Sequence, residues 1–350
     1  MNPKLYILCE RDAGLFSLIQ QVIAHIPAAV ATGRIPIVCF GRRCAYYVDA
    51  GYQGRDTVWE YYFEPLVDGF PAAAIPAAVA SAIDRSPPDP RQSGREEDGG
   101  FFVTNNFGGH RELTGLTLEI PCLWDDPGPE LRAVTAPLIE QYIRPRAYIL
   151  EKVERFYHDK MSRTPMIGVH MRGTDRVSGA DIHASRIGSL RPDAYAAALE
   201  RLLVETPDAG IFVATDAESS LDFMRAQFPG RVVAYDSIRH RSGKAAGRGP
   251  MGGLIPGYIA GSPETAAQNG EQAIIEYLLL RRCRRLVHNG SNLARTVLLA
   301  EPAMLHINTN HHRNRFLARV RAFRPIKLIW MARDIRNRLL YPRDARAVRQ

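Results

Sequence analysis

The run His170-Met171-Arg172-Gly173-Thr174-Asp175-Arg176 gathers side chains that could do chemistry directly behind an apolar stretch, Met166-Ile167-Gly168-Val169. The apolar residues read as a buried parallel strand, and in an open α/β sheet ligands sit beyond the carboxyl ends of the strands. A guanidinium delivered to that edge suits a phosphate, because its donors form a planar fork and its charge is permanent. Two further segments end the same way: Gly210–Thr215 runs into Asp216, and Leu286-Val287-His288 runs into Asn289-Gly290-Ser291-Asn292. Ser291-Asn292 opens a helical pattern, and the N–H groups and positive dipole end of a helix start favour an anion. A lone Ser there is an ordinary helix cap. Three polar strand ends on one sheet edge, however, predict a diphosphate held between Arg172 and the helix start.

The elements that must position these residues follow a β-α rhythm. Leu5–Cys9 reads as a strand, Leu15–Ala31 as a helix with apolar residues at helical spacing, and Ile35–Phe40 as a second strand. The intervening loop Glu10–Gly14 lacks the GxGxxG spacing of a dinucleotide site. Trp59–Pro65 is aromatic-rich and reads either as a stacking platform for a sugar or as core. Residues 84–100 read as a surface loop, rich in Pro, Gly and charge. Pro137–Lys160 is a long helical stretch that Pro145 should kink or break. Beyond it, strands at Ile167–His170, Gly210–Asp216, Val232–Tyr235, Leu286–His288 and Met304–Asn308 alternate with helical patterns, as in a doubly wound parallel sheet. Residues 237–262 form a Gly-rich basic loop within that series.

The chain's 350 residues suit two domains rather than one core. No run reaches the 18 or so apolar residues that would span a bilayer, and the N-terminus lacks a secretory apolar core. Five cysteines without a CxxC pair argue for reduced thiols in a cytoplasm, and against a zinc or disulfide frame. Of the net +8, residues 313–350 hold an excess of ten (twelve Lys/Arg, two Asp), so the rest carries about −2.

The motifs bear a family resemblance. His170–Arg176 resembles the HxRRTDK motif of the α1,6-fucosyltransferases, which include nodulation-factor and core N-glycan enzymes; Ile211–Asp216 resembles their strand ending ATDD. His288–Arg295 is similar to their TFSSQVxR, with Ser291 and Arg295 in matching places, and Glu276 lies near their guanine-contacting Asp. The resemblance covers roughly residues 160–310 and follows more loosely before that. It implies an α/β chain of the GT-B class, two Rossmann-like doubly wound domains facing a cleft. Residues 1–150 would be the acceptor side, 160–310 the nucleotide-sugar side and 311–350 a basic amphipathic tail. It also implies inverting fucosyl transfer from GDP-fucose to a glycan or lipid-linked oligosaccharide, without cofactor or metal ligand.

By residue, the resemblance gives Arg172 the β-phosphate and the charge on the leaving diphosphate. It sets His170 and Glu276 at the guanine and Ser291 at phosphate; Thr174, Arg176, Asp216, Asn292 and Arg295 complete the donor-binding set. Gly173 replaces the second Arg of the pattern, and Arg176 its Lys, keeping charge but not geometry. Where the family has an acidic residue proposed as base stands Ala180, so Asp181 is the expected base and Asp175 the reserve. Another nucleotide sugar, or nucleotide and glycan binding without turnover, are the alternatives. The tail composition fits a helix at an anionic membrane surface, as for an enzyme peripheral to the inner face, or one packed on the first domain. No nucleic-acid motif is present.

Overall fold

The computed structural model describes residues 3–11, 13–89, 92, 94–106, 126–172, 192–240, 246–248, 254–256 and 262–310, the two short segments 246–248 and 254–256 as backbone. Among these, two largely parallel sheets share a helical layer between them.

The first sheet has strands β1 (Leu5–Cys9), β2 (Ile35–Cys39), β3 (Arg95–Glu97) and β4 (Phe101–Thr104) in the order β2-β1-β4-β3. β1 pairs parallel with β2 and β4, and β3 runs antiparallel on the edge. Helix α1 (Leu15–Ala31) covers its inner face; after α2 (Val58–Tyr62), α3 (Ala77–Arg85) covers the outer one. Strand alternation sorts the side chains: Tyr6 and Leu8 face the shared layer, while Leu5, Ile7 and Cys9 face outward with Ile83.

Helices α4 (Pro129–Tyr142) and α5 (Ala147–Lys160) lead to the second sheet. Its strands are β5 (Met166–Met171), β6 (Gly210–Thr215), β7 (Val232–Val233), β10 (Arg285–His288) and β11 (Leu305–Asn308), all parallel in the order β11-β10-β5-β6-β7. Helices α6 (Pro192–Glu205) and α7 (Glu218–Gln227) pack on the outer face with Val169, Ile211 and Val213. A short antiparallel pair, β8 (Ala246–Arg248) and β9 (Leu254–Pro256), stands apart. Helices α8 (Pro263–Arg281) and α9 (Asn292–Ala300) pack inward. The sheet requires Gly168: a Cβ there would lie 2.9 Å from Leu280 and 3.2 Å from Cys283.

The described residues decide several sequence expectations, some as read and some corrected. The 84–100 loop contains β3, because Gly99 and Gly100, both at positive φ, turn the chain back onto Phe101–Thr104, a strand the sequence reading passed over. The Pro137–Lys160 helix is two helices; it starts earlier, at Pro129, and breaks at 143–146, where Pro145 removes a donor. The strand expected at Val232–Tyr235 keeps only its first two residues. Trp59, Tyr61, Tyr62 and Phe63 are core and not a sugar platform: each is at most 2% exposed, with Trp59 stacked on Phe63 at 4.5 Å between ring centroids. Cys9, Cys39 and Cys283 are free thiols, and burial pushes Cys39 up to about 12. Cys122 and the tail from 311 onward lie outside the described residues.

Candidate functional site

The second sheet's carboxyl edge is knitted together across strands. His170 sits in register with His288 on one side and Ala214 on the other. One residue further on, Thr215 donates through Oγ1 to the Met171 carbonyl at 2.7 Å. The ladder stops there, and Asn289 takes over by donating Nδ2 to the Arg172 carbonyl at 3.1 Å. Tyr195 on α6 donates to the His170 carbonyl at 3.0 Å. Arg172, half-buried, is thus fixed through its backbone at the point where β5 leaves the sheet.

Ser291 caps α9: its Oγ accepts the Ala294 N–H at 3.2 Å and lies 2.9 Å from His170 Nδ1. That hydroxyl is fully buried and engaged. An anion at this helix end would therefore meet the first-turn N–H groups of Asn292 and Leu293, which have no intrahelical acceptor. The Asn292 carbonyl accepts from Thr296 Oγ1 and from Gln20 Nε2 of α1, so the first half of the chain touches the start of this helix. Arg295, one turn on, is 1% exposed.

Beyond β6, Asp216 lies close enough to act electrostatically on Glu276 of α8. Glu276 is buried, accepts from Ser237 Oγ at 2.7 Å and has Arg239 Nη2 at 3.7 Å. Burial pushes its carboxyl up to about 7; Asp216 adds to the rise, while Arg239 and Ser237 oppose it. Neighbouring Gln272 accepts the Ile238 N–H at 2.8 Å, tying segment 237–239 to α8.

The structure thus brings together His170, Arg172, Ser291 and Asn292 on one edge, links Asp216 with Glu276, and buries Arg295 on α9. Thr174, Asp175, Arg176 and Asp181 lie outside the described residues. Sequence reasoning missed Asn289, Ser237 and Arg239 as site residues. Asn289 sat in a flagged polar turn, but its hold on Arg172 depends on strand register. Arg239 and Ser237 sat in a basic loop whose docking on α8 has no local signature.

The first sheet's carboxyl edge is built differently. Glu10, buried after β1, lies 3.3 Å from Arg43 Nε in the loop after β2. Asn105, after β4, donates to the Glu10 carbonyl at 3.4 Å. Between the two halves, Glu271 of α8 is buried against Lys152 Nζ at 2.5 Å and Tyr52 OH at 2.8 Å.

No protein-family model matches this chain, and no curated protein matches its sequence. Solved structures do. An NodZ α-1,6-fucosyltransferase soaked with GDP-fucose is 18% identical over 85% of this chain and 93% of its own, with a TM-score of 0.51. The Bradyrhizobium fucosyltransferase NodZ gives 17% over 88% and 95%, TM-score 0.51. Arabidopsis thaliana FUT1, as a mutant in complex with GDP, gives 12% over 86% and 69%, TM-score 0.50. At such identities the likeness establishes the fold: this chain has the fucosyltransferase-like GT-B architecture that its motifs imply.

Proposed function

We propose that this chain is an inverting, metal-independent glycosyltransferase that moves fucose from GDP-fucose to a glycan or lipid-linked oligosaccharide. The observation that carries the reading is the junction of Arg172 with the α9 start through Asn289, His170 and Ser291. It occurs in a fold whose solved neighbours include complexes with GDP and GDP-fucose. The diphosphate lies against the first turn of α9, where the helix dipole meets its charge. Arg172 stabilises the charge that grows on the leaving diphosphate as the glycosidic bond breaks, a preorganised interaction that strengthens in the transition state. His170 braces the cap of α9 and borders the guanine site. Glu276, as a carboxylate, accepts from the guanine N–H groups, with Asp216, Thr174, Arg176 and Arg295 completing the donor site. The acceptor enters from the 1–150 half, and Asp181 takes its hydroxyl proton, with Asp175 in reserve.

Calorimetric titration with GDP and UDP, in EDTA, tests the donor. The expected result is GDP binding without UDP binding, abolished by Arg172→Ala. A preference for UDP would discard fucose, and binding of neither would discard the nucleotide site. Slow hydrolysis of GDP-fucose by the wild type then separates an enzyme from a binder. The basic tail is proposed to hold the enzyme at an anionic membrane surface on the cytoplasmic side. Equal vesicle co-sedimentation of the full chain and of residues 1–312 would refute that.

A further inference from the structure

Behind the phosphate-binding turn lies a second polar cluster. His288, the last residue of β10, is fully buried, with Nε2 3.1 Å from His306 Nδ1 and 3.7 Å from Asp126 Oδ1. His306 Nδ1 is 3.8 Å from Asp126 Oδ2, and Asn308 donates to Asp126 at 2.9 Å. The three side chains resemble a metal site by type and spacing. The remaining ring nitrogen of His288 argues otherwise. His288 Nδ1 lies 3.0 Å from the Gly290 N–H, which can only donate. Nδ1 is therefore an acceptor, and a neutral imidazole must then carry its proton on Nε2. A metal at Nε2 would require the opposite tautomer, with Nδ1–H facing an acceptor.

We infer that His288 is a positioning residue for the proposed diphosphate site: its Nδ1 holds the Gly290 N–H and so sets the turn from β10 into the Ser291-capped helix. Gly290 is at φ +76, a conformation in which the chain reverses within one residue. Either side of it, Asn289 holds Arg172 and Ser291 holds His170, so a tilt of this peptide moves both. The Nε2–H is spent on His306 with Asp126 behind it, which fixes the ring plane. Thr309 anchors the base of the turn by donating N–H and Oγ1–H to the His288 carbonyl. Burial also keeps the ring neutral, with Arg295, Arg132 and His306 opposing protonation and Asp126 favouring it. His288 acts through the turn and does not touch the nucleotide.

Two substitutions separate this role from simple packing. His288→Asn places Oδ1 where Nδ1 stands and keeps the Gly290 acceptor, but loses His306. His288→Gln reaches His306 and loses the acceptor at Gly290. GDP affinity should fall less than about threefold in the Asn variant and on the order of tenfold in the Gln variant, the loss expected for one well-placed hydrogen bond. Thermal stability should rank the other way, Gln above Asn. Equal losses of affinity in both, or none in either, would overturn the inference. So would stoichiometric zinc binding by the wild type that His306→Ala abolishes. The inference rests on the GDP reading. If wild type binds no GDP, that reading fails, and the ¹⁵N imidazole spectrum of the apo protein, assigned by difference against His288→Asn, still decides this one: Nε2–H is expected, and Nδ1–H would refute it.

Discussion

The two sheet edges both tie side chains to backbone, and they differ in what else their polar residues do. On the first sheet, the charged groups neutralise each other: Glu10 is buried against Arg43, and Asn105 ties the ends of β1 and β4 together. On the second sheet, the bonds run from side chain to backbone. Thr215, Asn289 and Tyr195 hold carbonyls of β5 and the residue after it, and Ser291 with His170 holds a helix start. Backbone held this way keeps the first-turn N–H groups of α9, which have no intrahelical acceptor, at the edge of the sheet. One edge is tied to itself, and the other carries the proposed donor site. Variants in the first should cost stability, and variants in the second should cost binding.

The largest separation is expected for Arg172→Ala. Donor turnover should drop at least about 100-fold, the usual loss when a donor to developing charge is removed, with the melting temperature nearly unchanged. A large melting shift would mean that Arg172 belongs to the fold and would erase the contrast. Arg43→Met is the converse. It leaves the Glu10 carboxyl buried without its cation, and breaking such a pair costs about 3–5 kcal/mol when both partners are deep. Arg43 is 23% exposed, which places the expected loss below that range, about 2 kcal/mol by urea unfolding. GDP affinity should not move. If it does, the first edge reaches the donor.

The seam between the halves should respond next. A Cβ on Gly270 would lie 2.4 Å from Tyr62 Oη, whose hydroxyl is held by the Ala267 carbonyl at 2.8 Å. Overpacking of a rigid buried ring costs about 1–3 kcal/mol. Gly270→Ala should therefore lower stability by about that amount, read as an earlier denaturant midpoint. Tyr62→Phe would lose the hydroxyl bond and keep most of the packing, about 1 kcal/mol.

How far these features could be read beforehand depends on their range along the chain. The second half was legible because parallel strands buried on both faces are continuous apolar runs, and each ends where its polar residues begin. That alone brought His170, Arg172, Asp216 and Ser291 to one edge. The first half was less so. β3 is a charged trio, Arg95-Glu96-Glu97, made a strand by the glycine turn behind it and the edge of β4 in front. The aromatic cluster at Trp59–Phe63 is core because α8 packs onto it some 200 residues later in the chain, a contact that no local pattern announces. The hold of Asn289 on Arg172 and the approach of Arg239 to Glu276 had no local signature for the same reason: the partners are distant in sequence. The tautomer of His288 needs a hydrogen-bond geometry and has no sequence signature at all.

The smallest effect, and the one that sharpens the contrast most, concerns Glu276. Its folded-state carboxyl titrates near 7, above the ordinary 4.5, chiefly through burial. Between those values the folded chain keeps a proton that the unfolded chain has released. The native state therefore binds more protons, and this group's contribution to stability falls as pH rises from about 4.5 to about 7 and is flat above. Guanine binding should run the other way, because two N–H donors need the carboxylate as acceptor. GDP affinity should improve severalfold as pH rises through 7, at fixed ionic strength. The diphosphate of GDP also titrates in this region, so the diagnostic quantity is the difference between wild type and Glu276→Gln. The variant should be more stable relative to wild type at pH 8 than at pH 5, bind GDP more weakly at pH 8, and lose most of the pH dependence. Parallel pH profiles for the two proteins would remove Glu276 from the guanine site and assign its buried contacts with Ser237 and Arg239 to folding alone.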